Sequence, residues 1–218
     1  MTAWSERLAE FLPQLLAGMA VNFEIAGIAI VLGLGLGIPL AAMRMHGRHA
    51  GRIAASLIAL MRAAPTFVVM FFLLNAIPRE ATMLGLALAM SGAAVVALSL
   101  VPYSASYVAD GAVDAIREWR GGSHLGGLLF LPNLMRAFFV LVMSSGAGAA
   151  IGVGEGIAVI LRHAERLPSL ADKLILFAIG IACFGVPLQA GFFLMSLVQK
   201  RLARAAARGW ETVLPRRA

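Results

Sequence analysis

The chain has 218 residues, 61% of them hydrophobic and 13% charged, with a formal net charge of +7 and a mean hydropathy of +0.88. Soluble domains carry about 25% charged residues, so this composition excludes a water-soluble globule and a disordered tail. At about 20 residues per membrane helix plus short loops, the length holds five or six spans and no sizeable soluble domain. In such a chain the basic excess marks the cytoplasmic face rather than a nucleic-acid surface. Cys183 is the only cysteine, which excludes an intrachain disulfide and a cysteine metal cluster.

In chain order, residues 1–20 form an interfacial N-terminal segment. It carries Glu6, Arg7 and Glu10 and lacks the apolar core of a cleavable signal. Leu8, Phe11, Leu12 and Leu15 share one helical face, which suits a helix lying on the membrane surface. The first span follows at Ile25–Met43, nineteen uncharged residues or about 28 Å of helix. The second runs Ile53–Ile77, interrupted only by Arg62, and the third, Ala81–Ala109, has no charge in 29 residues. The fourth starts near Leu125 or Pro132 and reaches Ile160, with Arg136 and Glu155 inside it, and the fifth is Leu174–Gln199. The expected fold is an all-α membrane protein of five transmembrane helices in a single domain, 1–218, closed by a basic tail, 200–218.

Orientation follows from the basic residues. Thirteen fall on the side holding the 44–53 loop, the 110–136 loop and the C-terminal tail, against five on the other. Lys and Arg concentrate in cytoplasmic loops, so the N-terminus is expected outside and the C-terminus inside.

Gly33-Leu-Gly-Leu-Gly37 resembles part of a dinucleotide fingerprint but lies mid-span. Four residues apart on one face, Gly33 and Gly37 have the spacing that lets two helices approach closely. The glycines from Gly146 to Gly156 are dense enough for a broken or bent helix. Irregular backbone at membrane depth persists only where protein or a water-filled cavity surrounds it, which makes this stretch a candidate pathway lining. Pro39, Pro65, Pro102 and Pro187 lie within or at the ends of spans, where each can kink a helix.

Several chemistries are missing. His46, His49, His124 and His163 all lie in loops or at span ends, so no intramembrane histidine site forms, and His46-Gly-Arg-His49 reads as a solvated basic loop. Neither lysine, Lys173 nor Lys200, belongs to a phosphate-binding Gly-Lys-Ser/Thr ending. Energy for uphill work has to come from another chain or an ion gradient.

Several passages bear a family resemblance. Leu15–Ile38 resembles the first span of the membrane permeases of polar amino-acid ABC importers. Met61-Arg-Ala-Ala-Pro-Thr through Ile77-Pro78 is similar to their second-span passage, and Ser99-Leu through Ala105, Tyr107 and Asp110 to their Ser-Leu…Ala-Tyr-x-x-Glu. Leu131-Pro132 is similar to their post-loop Leu-Pro, and Ile151-Gly-Val-Gly-Glu155 resembles their Ile-Gly-Val-Ala-Glu.

The resemblance implies half of a permease dimer in the bacterial inner membrane, a multi-pass subunit with no catalytic residues, metal or cofactor of its own. ATP and Mg would sit on an ATP-binding cassette subunit docked on the cytoplasmic loop, 110–132. A periplasmic solute-binding protein would deliver amino acids or similar small polar solutes. The chain departs from the family in that loop, which is shorter and lacks Glu-Ala-Ala, and Val113 stands where the family has Arg. These departures favour a heterodimer with a more regular permease. The rival readings are a secondary transporter and a non-transporting scaffold derived from a permease.

Candidate pathway residues are the polar groups at membrane depth, Asn75, Tyr103, Ser104, Tyr107, Ser144, Ser145 and Glu155. Glu155 either meets an ammonium group on a substrate or pairs with Arg162 or Arg166. Arg62 is expected to extend its side chain to lipid headgroups. For ATPase docking the candidates are Arg117, Glu118, Trp119, Arg120, Gly121 and Gly122, with Trp119 either in a cleft on the ATPase or in the lipid interface.

Overall fold

The computed structural model describes residues 2–76, 82–83, 86–87, 90–122 and 130–211. Helix α1 is Thr2–Met45, 44 residues or about 66 Å at 1.5 Å per residue. The sequence set residues 1–20 apart as a surface segment, but the helix runs from Thr2 into the first span without a break. Part of its apolar face is covered by protein. Phe11 and Leu15 are 1% and 0% exposed, packed with Met19 against Val159, Ile160, Ala164 and Leu176. Among lipid tails apolar side chains gain little from the hydrophobic effect, so close packing holds this seam.

The second predicted span is bent. α2 (Arg48–Ala63) and α3 (Thr66–Ala76) meet at 91°. Ala64, between them, is extended at φ −69°, ψ 115°, because Pro65 disfavours the helical region for the residue before it and supplies no N–H of its own. At 11 residues, α3 covers only about 16 Å. Among the described residues four helices are long and apolar enough to cross a membrane, or five if α2 and α3 make one broken span.

The third predicted span is shifted towards the C-terminus. Thr82–Met83 pairs antiparallel with Leu86–Ala87, and α4 begins only at Gly92, capped by the Ser91 hydroxyl, which accepts from the Ala94 N–H at 3.2 Å. α4 continues to Arg120, so the first half of the predicted 110–132 loop is helix. The helix closes where Gly121 N–H donates to Arg117 O at 2.9 Å and Gly122 N–H to Trp119 O at 3.0 Å. Gly122 has φ 89°, a left-handed value that glycine adopts without strain.

The fourth predicted span is broken, as the glycine density suggested. α5 (Phe130–Ser144) passes into a 3₁₀ helix, Ser145–Ile151, then into an irregular turn, and α6 is Gly156–Glu165. α7 runs Leu170–Glu211. Residues 123–129 of the expected docking loop and 212–218 of the expected basic tail lie outside the described residues.

The most extensive helix pair is α1 with α4, and Gly33 and Gly37 make it possible. A Cβ on Gly33 would lie 2.7 Å from Ser104 Cβ, and one on Gly37 would lie 2.6 Å from the Ala105 carbonyl oxygen. Beyond this seam Asp110 of α4 accepts from Arg44 of α1 at 2.7 Å and also pairs with Arg62 of α2. Arg62 therefore ties α2 to α4 instead of reaching only for headgroups. Its side chain is 58% exposed, and exposed pairs contribute little. Asp110→Asn should lower stability by about 1 kcal/mol, as measured by thermal unfolding in detergent, with the difference shrinking in high salt.

Candidate functional site

The break between α5 and α6 exposes backbone N–H groups at the start of α6, which need acceptors. Glu155 supplies them as the N-cap: Oε2 accepts from Ile157 N–H and Oε1 from Ala158 N–H, both at 2.8 Å. The same Oε2 accepts from Asn22 Nδ2, again at 2.8 Å. Asn22 lies on α1 and gives its other amide hydrogen to Ser145 Oγ at 2.8 Å, while its Oδ1 accepts from Gly156 N–H at 2.9 Å. Ser145 donates onward to Val142 O at 2.7 Å.

This knot joins α1, the end of α5, the 3₁₀ helix and α6. Glu155 is 0% and Asn22 1% exposed, so water contributes nothing to their solvation. Hydrogen bonds and the positive N-terminal end of α6 stabilise the carboxylate instead. Of the two sequence readings for Glu155, the pairing with arginine does not occur: neither Arg162 nor Arg166 reaches it, and Arg166 faces Glu10 at 3.6 Å. Nor does its carboxylate line an open cavity in this conformation. α1 presses directly on the turn, since a Cβ on Gly18 would lie 2.9 Å from the backbone of Glu155 and Gly156.

Of the seven candidate pathway residues, the structure brings Ser145 and Glu155 together. Ser144 ends α5, half-buried, beside Ser145. Asn75 turns back on its own helix, donating to Phe71 O at 2.7 Å. Tyr103 and Tyr107 lie one turn apart on α4, their rings tilted with centroids 6.2 Å apart. Ser104 is fully buried against Gly33, and its hydroxyl has no hydrogen-bond partner among the described residues. Sequence reasoning missed Asn22. Asn22 falls three residues before the predicted first span, where a polar amide is expected to be solvated, so nothing in the sequence marked it.

The docking candidates Arg117, Glu118, Trp119 and Arg120 form the exposed last turn of α4, and Trp119 is 60% exposed. Gly121 and Gly122 follow as its cap. Beside this turn lies a cleft of about 340 Å³, lined by Asp114, Arg117, Glu118, Phe130 and Asn133 among others. Two acidic side chains, an arginine and an aromatic ring face one space there.

No family model and no curated protein matches this chain. Among solved structures it is similar to a chain in the crystal structure of an amino acid ABC transporter with histidines, with a TM-score of 0.66 and 20% sequence identity. The match covers 89% of this chain and 96% of that one. The chain is thus a multi-pass helical membrane protein with the fold of a chain of an amino acid ABC transporter.

Proposed function

We propose that the chain is a permease subunit of an ATP-driven ABC importer, forming half of the pathway for amino acids or similar small polar solutes. The observation that carries this reading is the shared fold, which extends over nearly the whole of both chains. The chain's own surface supports it. The spanning part of α7 is 17% buried, which leaves wide apolar faces for lipid and for a second permease subunit, in a heterodimer. In this reading the N-terminus lies outside the bacterial inner membrane and the C-terminus inside, as the basic residues suggest. A periplasmic solute-binding protein delivers the solute.

ATP and Mg belong to a separate ATP-binding cassette subunit, and this chain catalyses nothing. Its docking element is the end of α4 with the adjoining cleft, whose exposed tryptophan and mixed charges suit a protein partner. Replacing Glu118 and Trp119 together by alanine should leave the unfolding temperature within a degree or two, because surface changes of this kind stay near ±0.5 kcal/mol. Solute-stimulated ATP hydrolysis by the assembled complex should fall about tenfold or more. Unchanged stimulation would remove this turn from the coupling.

Co-purification tests the reading as a whole. An ATPase subunit and a second membrane subunit should be recovered with the tagged chain. Uptake by the isolated chain in liposomes without ATP would point to a secondary transporter, and assembly without uptake to a scaffold.

A further inference from the structure

A second cavity, of about 170 Å³, lies where the start of α1, the last turn of α6 and the start of α7 meet. Its lining includes two guanidiniums, Arg7 and Arg166, one carboxylate, Glu10, and the ring of His163. His163 Nδ1 lies 3.0 Å from Val159 O. A carbonyl can only accept, so the proton on that ring nitrogen is committed to it. The other nitrogen, Nε2, is buried and has no hydrogen-bond partner among the described residues. The Arg166–Glu10 contact is 3.6 Å long between side chains 69% and 61% exposed, weak enough for a ligand to displace.

The other half of the lining is apolar. Trp4 and Leu8 line the cavity, with Arg7 6.0 Å above the Trp4 ring centroid. Along α1 from Leu8, at helical spacing, Leu12 and Leu16 remain 36% and 59% exposed, a ridge leading away from the charged end. The cavity has room for a headgroup and not for acyl chains, whereas the ridge suits a chain lying along it.

We propose that this cavity binds the phosphate headgroup of an anionic phospholipid. Arg7 and Arg166 contact its oxygens, and the acyl chains lie against Leu8, Leu12 and Leu16. Two guanidiniums against one carboxylate leave the lining positive, and arginine suits phosphate in geometry as well as charge. The carbonyl end of α6 repels an anion, so both arginines are needed. The proposal requires only that the chain lies in a bilayer and holds whether or not it is a permease.

The test uses the full chain, with whatever subunits co-purify, in nanodiscs of phosphatidylcholine alone or doped with phosphatidylglycerol. Native mass spectrometry should find phosphatidylglycerol retained on the wild-type chain and a higher unfolding temperature in the doped discs. Arg7→Gln with Arg166→Gln, both exposed and so compatible with folding, should weaken retention about tenfold or more. Arg162→Gln removes a single positive charge near Arg166 but outside the cavity and should leave retention unchanged. Equal retention by the double variant and the wild type overturns the site. Inorganic phosphate at matched ionic strength should neither displace the lipid nor raise the unfolding temperature; if it does both, the occupant is a soluble phosphate and the lipid assignment falls.

Discussion

Glu155→Ala should lower the unfolding free energy by about 2–4 kcal/mol and should be the most damaging substitution among the described polar residues. Losing an N-cap removes about 1 kcal/mol. Ile157 N–H and Ala158 N–H are the groups this cap serves, and the buried Asn22 Nδ2 loses an acceptor as well, which costs about 1–3 kcal/mol more. Glu155→Gln should be milder, because one oxygen can still cap α6, but its amide hydrogens then face those of Asn22. Unfolding in mixed micelles measures both. A cycle with Asn22→Ala should return a coupling of at least about 1 kcal/mol, as expected for side chains in contact. A Glu155→Ala variant within about 0.5 kcal/mol of wild type would show that the knot does not hold α1 to the broken helix.

The second large effect lies at the α1–α4 seam. A Cβ on Gly37 would meet the Ala105 carbonyl oxygen at 2.6 Å and Val108 Cβ at 2.8 Å. A backbone oxygen cannot turn aside, so the helices themselves must part. Gly33 presents the same conflict with Ser104, through Cβ as well as the hydroxyl. Overpacking of this kind costs about 1–3 kcal/mol, and on the most extensive helix pair Gly33→Ala and Gly37→Ala should each lower stability by about 2–3 kcal/mol. Gly35, between them, has nothing within 4 Å of its Cβ position. Gly35→Ala should be neutral or slightly stabilising, since alanine is the better helix former by about 1 kcal/mol. Thermal unfolding of the three variants gives the comparison. Equal losses at all three positions would mean that the seam is not the cause.

Gly33 and Gly37 were legible in the sequence because small residues four apart imply one thing inside a span, a close neighbour. The break after α5 was legible for a related reason: glycines as dense as those from Gly146 to Gly156 do not make a continuous membrane helix. The bend at Pro65 was less clear. A proline within an apolar run is compatible with a kinked span or a right-angled turn, and lack of charge does not distinguish them. The same ambiguity hid the start of α4. Residues 81–91 are uncharged, yet an antiparallel pair of two-residue strands precedes the cap at Ser91.

What the sequence could not show was the partner of Glu155. Asn22 lies 133 positions away, and only the approach of α1 to the turn before α6 brings the two together. Pairing Glu155 with Arg162 or Arg166 was reasonable from proximity along the chain. It fails because an N-cap carboxylate turns towards the N–H groups at the start of α6, whereas Arg162 and Arg166 belong to that helix's last turn and C-cap. Arg62 misled in the opposite way: its partner, Asp110, belongs to a helix more than forty positions on, which left lipid as the nearer explanation.

The most direct test of the permease assignment is uptake into sealed proteoliposomes containing this chain with the subunits that co-purify with it, ATP being supplied on the face that carries the end of α4. Labelled amino acids should accumulate inside or outside according to that orientation, only when hydrolysable ATP is present, and accumulation should cease when the ATPase subunit is inactivated. Transport at the same rate without ATP, or ATP hydrolysis with no solute movement, would contradict the assignment.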